Sequence, residues 1–175
     1  MNHKINVILF GIGTIGSALI NKILRERKDL ILDAKIDIRV PIITNATVAF
    51  FEKEGANFSW EANFIQFGVP FKLDDVMLYI MENKLENVVI VDATASTQLA
   101  AAYLDFIRNG FNLVSINETL QFLPDSFEKG IRFLAETHKV EYTFVNTMRS
   151  KVLAIEELYE AIVEIAEKQR PISIN

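Results

Sequence analysis

The sequence predicts an α/β domain: a doubly wound, mostly parallel sheet with helices on both faces, in three αβα layers. Three observations carry this expectation. Short apolar runs rich in β-branched residues alternate with segments of helical period along the chain. Those runs are apolar almost throughout, as strands buried on both faces require. The 175 residues suit one domain, and half of them are apolar, enough for a sizeable core and against a disordered chain. No internal repeat, low-complexity stretch or linker divides them, so residues 1–175 read as one unit.

The elements follow in order. Ile5 to Phe10 (INVILF) reads as a buried strand, ending at Gly11-Ile12-Gly13-Thr14-Ile15-Gly16. Ile15, Leu19, Ile23 and Leu24 then recur at helical spacing, with Asn21, Lys22, Arg25 and Glu26 between them. A second extended segment spans Lys35 to Thr44, and Pro41 predicts an edge or irregular strand. Asn45 to Lys72 is the least regular stretch and holds seven aromatics: Phe50, Phe51, Phe58, Trp60, Phe64, Phe67 and Phe71. Asp74 to Asn83 reads as a helix, and Asn87 to Thr94 (NVVIVDAT) as the next buried strand. Ser96 to Arg108 reads as a helix closed by Asn109-Gly110. Phe111 to Asn117 is a strand, Pro124 to Thr137 a helix and Glu141 to Asn146 a short strand. The last helix, about Val152 to Gln169, packs on the sheet with Ile155, Leu158, Ile162, Ile165 and Ala166 inward, and Pro171 ends it.

The glycine turn supplies the parts of a dinucleotide site, in the context of a Rossmann fold. Gly11 permits the tight turn, Gly13 lets a pyrophosphate approach the backbone, and Gly16 lets the helix pack close to the strand. The amides at the helix N-terminus favour phosphate charge. The triplet follows a buried strand directly and opens a periodic helix, which is the context such a site requires. An acid at the end of the second strand would favour NAD, and a basic residue NADP. Here the sequence is Ile43-Thr44-Asn45-Ala46-Thr47, and no Lys or Arg follows until Lys53. Asn45 serves either a ribose hydroxyl or a turn, so the cofactor reads as NAD or NADP.

Composition excludes other chemistries. Cysteine is absent, which removes disulfides, thiolate metal sites and thiol nucleophiles, including those of dehydrogenases that join a related cofactor domain to a catalytic thiol. Two histidines, His3 and His138, cannot build a multi-histidine metal centre; His138 reads as stabilising a helix C-terminus. A net charge of −5 without a concentrated basic run argues against nucleic acid. No apolar run is long enough for a bilayer and no signal segment opens the chain, so a soluble, cytoplasmic protein with no membrane role is expected. The aromatic stretch reads as core, or as a subunit contact that would make a homodimer; monomer alone in sedimentation at micromolar concentration would remove the dimer.

Val88 to Ser96 (VVIVDATAS), followed by Tyr103 to Asn117 (YLDFIRNGFNLVSIN), resembles the nucleotide-binding domain of homoserine dehydrogenase, most of all the form fused to aspartokinase. The likeness covers roughly Ile5 to Thr147. It implies that Gly11, Gly13, Thr14, Ile15 and Gly16 contact the pyrophosphate. It also implies that Thr94, Ala95 and Ser96 lie beside the nicotinamide ribose, with Asn117 at the same ligand edge, in a pathway of amino-acid biosynthesis.

The departures from that family bear on activity. Its asparagine follows a proline and precedes a lysine, whereas this chain reads Ile116-Asn117-Glu118-Thr119, so a carboxylate replaces a cation. A glycine-rich loop of the family is replaced by Asn146-Thr147-Met148-Arg149-Ser150-Lys151, in which Arg149 and Lys151 read as solvated cations. The family's substrate domain has no counterpart among these residues. Asp92 is a possible titratable group but reads better as a turn or cap residue, so no catalytic residue is assigned. The leading expectation is a homoserine-dehydrogenase-like, NAD(P)-binding Rossmann domain that is not catalytic by itself, being either a sensing or regulatory module or a chain without its catalytic domain. The alternatives are an active NAD(P)-dependent oxidoreductase completed by a partner domain, and a structural subunit with a vestigial nucleotide pocket.

Overall fold

Two layers of helices cover the faces of a seven-stranded sheet in the computed structural model, which describes residues 1–171. The last four residues of the chain lie outside the described residues. Strand β1 (His3–Phe10) leads through α1 (Thr14–Ala34) to β2 (Ile36–Thr44), and the two strands pair in parallel. Next come β3 (Val48–Phe51), α2 (Trp60–Phe67), β4 (Val69–Pro70) and α3 (Leu73–Glu82). The chain then crosses to the other side of β1 as β5 (Val88–Asp92). It continues through α4 (Thr97–Ala101), α5 (Tyr103–Arg108), β6 (Asn112–Ser115), a 3-10 turn (Glu118–Phe122), α6 (Asp125–His138), β7 (Tyr142–Phe144) and α7 (Lys151–Lys168).

The strand order is β4-β3-β2-β1-β5-β6-β7, with β3 antiparallel to both its neighbours and every other pair parallel. Connections leave β1 in opposite directions, so the strand order reverses between β1 and β5. That gap at the carboxyl edge is where open α/β sheets hold ligands. Alternation along β1 separates the two cores. Ile5, Val7 and Leu9 pack with Leu19, Ile23, Leu158 and Ile162 of α1 and α7. Ile8 and Phe10 face Val76, Tyr103, Phe106 and Ile131 on α3, α5 and α6.

Two local expectations change and two others are sharpened. Of the edge and irregular readings of β2, the irregular one holds: β2 is interior, its register with β1 slips between Asn6↔Arg39 and Ile8↔Ile42, and this bulge accommodates Pro41 without a ladder donor. The irregular stretch contains β3, α2 and β4, whose two strands of four and two residues are too short for periodicity to reveal. The helix expected over Ser96 to Arg108 is two helices that meet at Ala102. Most of the aromatic stretch is core, as expected: Phe50, Trp60 and Phe64 are buried, Phe51 and Phe71 pack half-buried against the core, and Trp60 Nε1 donates to Asn21 Oδ1 at 2.9 Å. Phe58 and Phe67 remain exposed, with Ile65 and Val69, beside the β4 edge.

Candidate functional site

The glycine turn sits in the gap between β1 and β5. Gly11 N–H donates to the Thr44 carbonyl and Ala93 N–H to the Phe10 carbonyl, both at 2.8 Å, so the ends of β2, β1 and β5 are laced together. The three glycines have different reasons. Gly11 has φ +99°, and a Cβ there would lie 2.6 Å from the Ala93 carbonyl oxygen. A Cβ on Gly16 would lie 1.9 Å from the Gly11 carbonyl oxygen. Both are required by the protein's own packing. A Cβ on Gly13 meets nothing within 4 Å among the described residues. Gly13 caps α1 with no side-chain hydrogen bond, and the first turn of α1 carries no acid. The amides of this turn, at Thr14 and Ile15 among others, therefore face an open surface with the helix dipole behind them.

Thr94 lies beside that turn: its Cγ2 is 3.0 Å from where a Gly11 Cβ would stand. Its polar atoms, however, are engaged internally. Thr94 N–H and Oγ1 both donate to Asp92 Oδ1, at 2.9 and 2.6 Å, and Ser96 N–H donates to Thr94 Oγ1 at 3.1 Å. Ser96 Oγ caps α4 by accepting from Leu99 N–H. Ala95, between them, is exposed. Asn45 adopts its turn reading, since its Oδ1 accepts from the N–H groups of Thr47 and Val48 at 2.9 and 2.7 Å.

Asn117 corrects an expectation about the site. Its amide is buried and saturated: Nδ2 donates to Asp92 Oδ2 (2.9 Å) and the Ser96 carbonyl (2.8 Å), and Oδ1 accepts from Thr119 N–H (3.0 Å) and Oγ1 (2.6 Å). Two donors and two lone pairs are the whole capacity of a side-chain amide. Asn117 thus positions the loops after β5 and β6 and leaves no side-chain group for a ligand.

Asp92, Tyr103 and Ser115 complete this buried network. Tyr103 hydroxyl lies 2.5 Å from Asp92 Oδ2 and 2.6 Å from Ser115 Oγ. Burial pushes the Asp92 carboxyl above its usual range, against the lowering effect of hydrogen bonds from Thr94, Tyr103 and Asn117. Burial and the neighbouring Asp92 push the Tyr103 phenol far up, so it stays a donor. The sequence places Tyr103 and Ser115 in the segment that carries the resemblance but gives neither a role; a buried-strand Asp with a Tyr eleven residues on is the local signal. Asp92 is both the turn residue expected and the centre of this framework.

Glu118 is exposed where the 3-10 turn begins, and its Oε1 accepts from Thr147 Oγ1 at 3.3 Å. Glu118 forms no ion pair among the described residues, and Arg149 and Lys151 are exposed. Lys53 lies on the opposite, N-terminal edge of the sheet with Arg39 and Glu54, because β3 runs antiparallel. Among the described residues no cluster of three His, Asp or Glu side chains could hold a metal, and no helix is long and apolar enough to cross a membrane.

Strand order, switch point and glycine turn together define a three-layer αβα domain of the Rossmann class. Comparison with known proteins narrows this. The chain belongs to the family described as homoserine dehydrogenase, NAD binding domain, which matches residues 11–146. It is 33% identical over 138 residues to a bifunctional aspartokinase/homoserine dehydrogenase of Buchnera aphidicola, covering 77% of this chain and 17% of that protein. The Haemophilus influenzae counterpart is 23% identical over 160 residues, with 90% and 20% covered. The chain thus spans about a fifth of the length of these relatives. Among solved structures, Staphylococcus aureus homoserine dehydrogenase at pH 6.0 superposes with a TM-score of 0.60 at 19% identity, over 82% of this chain and 33% of that one. A hyperthermophilic archaeal homoserine dehydrogenase in complex with NADPH gives 0.62 at 19% identity, over 82% and 44%. These two likenesses establish the shared fold.

Proposed function

We propose that this chain binds a nicotinamide dinucleotide at the glycine turn and does not carry out hydride transfer by itself. The observation that carries the first half is Gly13. Packing accounts for Gly11 and Gly16, but nothing among the described residues needs Gly13 to lack a side chain, and a pyrophosphate lying on the turn does. The uncapped, acid-free first turn of α1 fits the same group. When bound, the dinucleotide supplies a hydride carrier. The chain's own contribution is to receive phosphate on the turn and to hold the β5 and β6 loops rigid through Asp92, Tyr103 and Asn117.

The second half rests on Glu118. A free carboxylate stands where the family resemblance expects an ammonium group, and it repels the alkoxide charge that a dehydrogenase must stabilise. For the choice of nucleotide, the end of β2 offers no acid. The β3–β4 pairing brings Lys72 to that end: Phe71 N–H donates to the Thr47 carbonyl at 2.8 Å, and Lys72 is the next residue. A lysine beside the adenosine ribose favours the 2′-phosphate of NADP.

One observation favours the second reading, an oxidoreductase completed by another protein domain. Phe122, Phe144, Met148, Val152 and Leu153 are exposed around the Glu118–Thr147 contact, an apolar rim at the ligand edge. Calorimetric titration with NAD and NADP, followed by a homoserine oxidation assay, separates the readings. Binding without turnover is the expected result. Turnover by the chain alone overturns the non-catalytic half, and no heat with either nucleotide leaves a vestigial pocket.

A further inference from the structure

We propose that Asp92 makes the nucleotide site select the oxidised, positively charged nicotinamide over the reduced, neutral one, so that the domain reads the redox state of its ligand. The inference rests on the dinucleotide reading above and adds a discriminating residue to it.

Asp37 and Asp92 are the two buried carboxylates among the described residues. Asp37 is met by the guanidinium groups of Arg27 and Arg39. Asp92 is fully buried and takes part in no ion pair among the described residues. Four neutral donors surround it instead. Thr94 N–H and Oγ1 donate to Oδ1, and the Tyr103 hydroxyl and Asn117 Nδ2 donate to Oδ2. Two donors on each oxygen fill all four lone-pair positions, the full capacity of an ionised carboxylate. The surrounding bonds hold the donors in this sense. Asn117 Oδ1 is taken by Thr119, and Ser115 Oγ accepts from Asn117 N–H, which leaves the Ser115 hydrogen for Tyr103 and the Tyr103 hydrogen for Asp92. These bonds lower the cost of burying the charge but supply no opposite one. Neutral amides and hydroxyls can pin two loops equally well, so a carboxylate is a costly pin.

The position of Asp92 gives the charge a use. It ends β5, across the switch point from β2. With adenosine over the end of β2 and pyrophosphate on the turn, the nicotinamide half falls to the ends of β5 and β6. Asp92 Oδ1 lies 2.6 Å from Thr94 Oγ1, and Thr94 packs against the glycine turn, so one side chain separates the carboxylate from the crevice. The oxidised nicotinamide carries a positive charge that hydride addition removes. A buried charge acts on it without the screening that weakens the exposed Glu118, Arg149 and Lys151. One unit charge about 10 Å away, at an effective dielectric of about 20, changes affinity roughly tenfold.

Calorimetric titrations with NAD and NADH, and with NADP and NADPH alongside, read the preference at high ionic strength, where exposed charges are screened. ADP-ribose keeps the adenosine, pyrophosphate and second ribose without the ring, so it reads the glycine turn alone. The oxidised form is expected to bind roughly tenfold more tightly than the reduced form. Asp92→Asn should bring the two within about twofold of each other. Loss of a merely structural pin would instead weaken NAD, NADH and ADP-ribose together and keep their ratio. Glu118→Gln should keep the preference. That variant decides the matter if Asp92→Asn does not fold, because Asp92 is the one buried carboxylate at this edge among the described residues. The proposal is overturned by a parent that binds the reduced form as tightly as the oxidised, by a preference that survives Asp92→Asn, or by one that vanishes in Glu118→Gln. ADP-ribose binding with equal affinities for the two redox forms removes the Asp92 inference alone, whereas failure of ADP-ribose and all four nucleotides to bind removes the dinucleotide reading with it.

Discussion

Replacing Gly13 by serine and Gly16 by alanine separates what the fold needs from what a ligand needs. Gly13 has φ −68° and ψ −161°, extended backbone that any residue adopts, and its Cβ would enter open space. Serine is at least as good a helix cap as glycine, and it lowers unfolded-chain entropy by about 0.4–1 kcal/mol. Gly13→Ser is therefore expected to raise stability by about 0.5–1 kcal/mol, a Tm gain of about 1–4 °C at this chain length. Its hydroxymethyl group would also occupy the approach to the turn and engage an α1 amide. Losing one charge-assisted hydrogen bond of about 1.5–3 kcal/mol weakens NAD or NADP about ten- to hundredfold. Gly16→Ala does the reverse at the level of the fold. A Cβ 1.9 Å from the Gly11 carbonyl oxygen forces the turn apart, at more than about 3 kcal/mol, so Tm falls by about 6–12 °C or more. Calorimetric titration and thermal unfolding by circular dichroism read both effects. A Gly13→Ser protein that binds nucleotide as tightly as the parent would refute the pyrophosphate placement, and an unperturbed Gly16→Ala melt would refute the packing argument.

Three other outcomes are expected. Asp37 is buried and accepts from Arg27 at 2.7 and 3.2 Å and from Arg39 at 3.0 Å; Asp37→Asn should cost about 2–4 kcal/mol, below the fully buried case because Arg27 reaches solvent. Burial raises the Asp37 carboxyl, but the two guanidinium hydrogen bonds outweigh it and hold it below its usual value. Its stabilisation is therefore present above the ordinary carboxylate pKa and lost as pH falls through the folded one, and acid unfolding of Asp37→Asn should show a flatter decline. Tyr103→Phe removes a donor from Asp92, whose carboxyl is already raised by burial. Because a raised carboxyl loses stability as pH rises through its folded pKa, the cost of about 1–3 kcal/mol should be larger at neutral pH than in mild acid, as denaturant titrations at the two pH values would measure. Lys72→Ala should weaken NADP about three- to tenfold and leave NAD unchanged in calorimetry; an equal loss for both would separate Lys72 from the 2′-phosphate.

What could be read directly from the sequence was local. β1, the glycine turn and α1 follow one another within 34 residues, so periodicity and turn chemistry identify them without tertiary information. The alternation of buried runs with amphipathic segments likewise determined the parallel sheet, and the missing cysteines excluded thiol chemistry. The tertiary structure decided which polar atoms are free. Asn117 looks like a ligand contact until Asp92, 25 residues earlier, and the Ser96 carbonyl take its amide. Lys53 looks like the next cation after β2 until the antiparallel β3 carries it to the opposite edge and leaves Lys72 at the near one. Local pattern encodes where elements begin and which face they bury. Hydrogen-bond capacity and charge balance depend on partners that only the folded sheet brings together, and the same packing separated the two glycines the fold requires from Gly13, which it does not require.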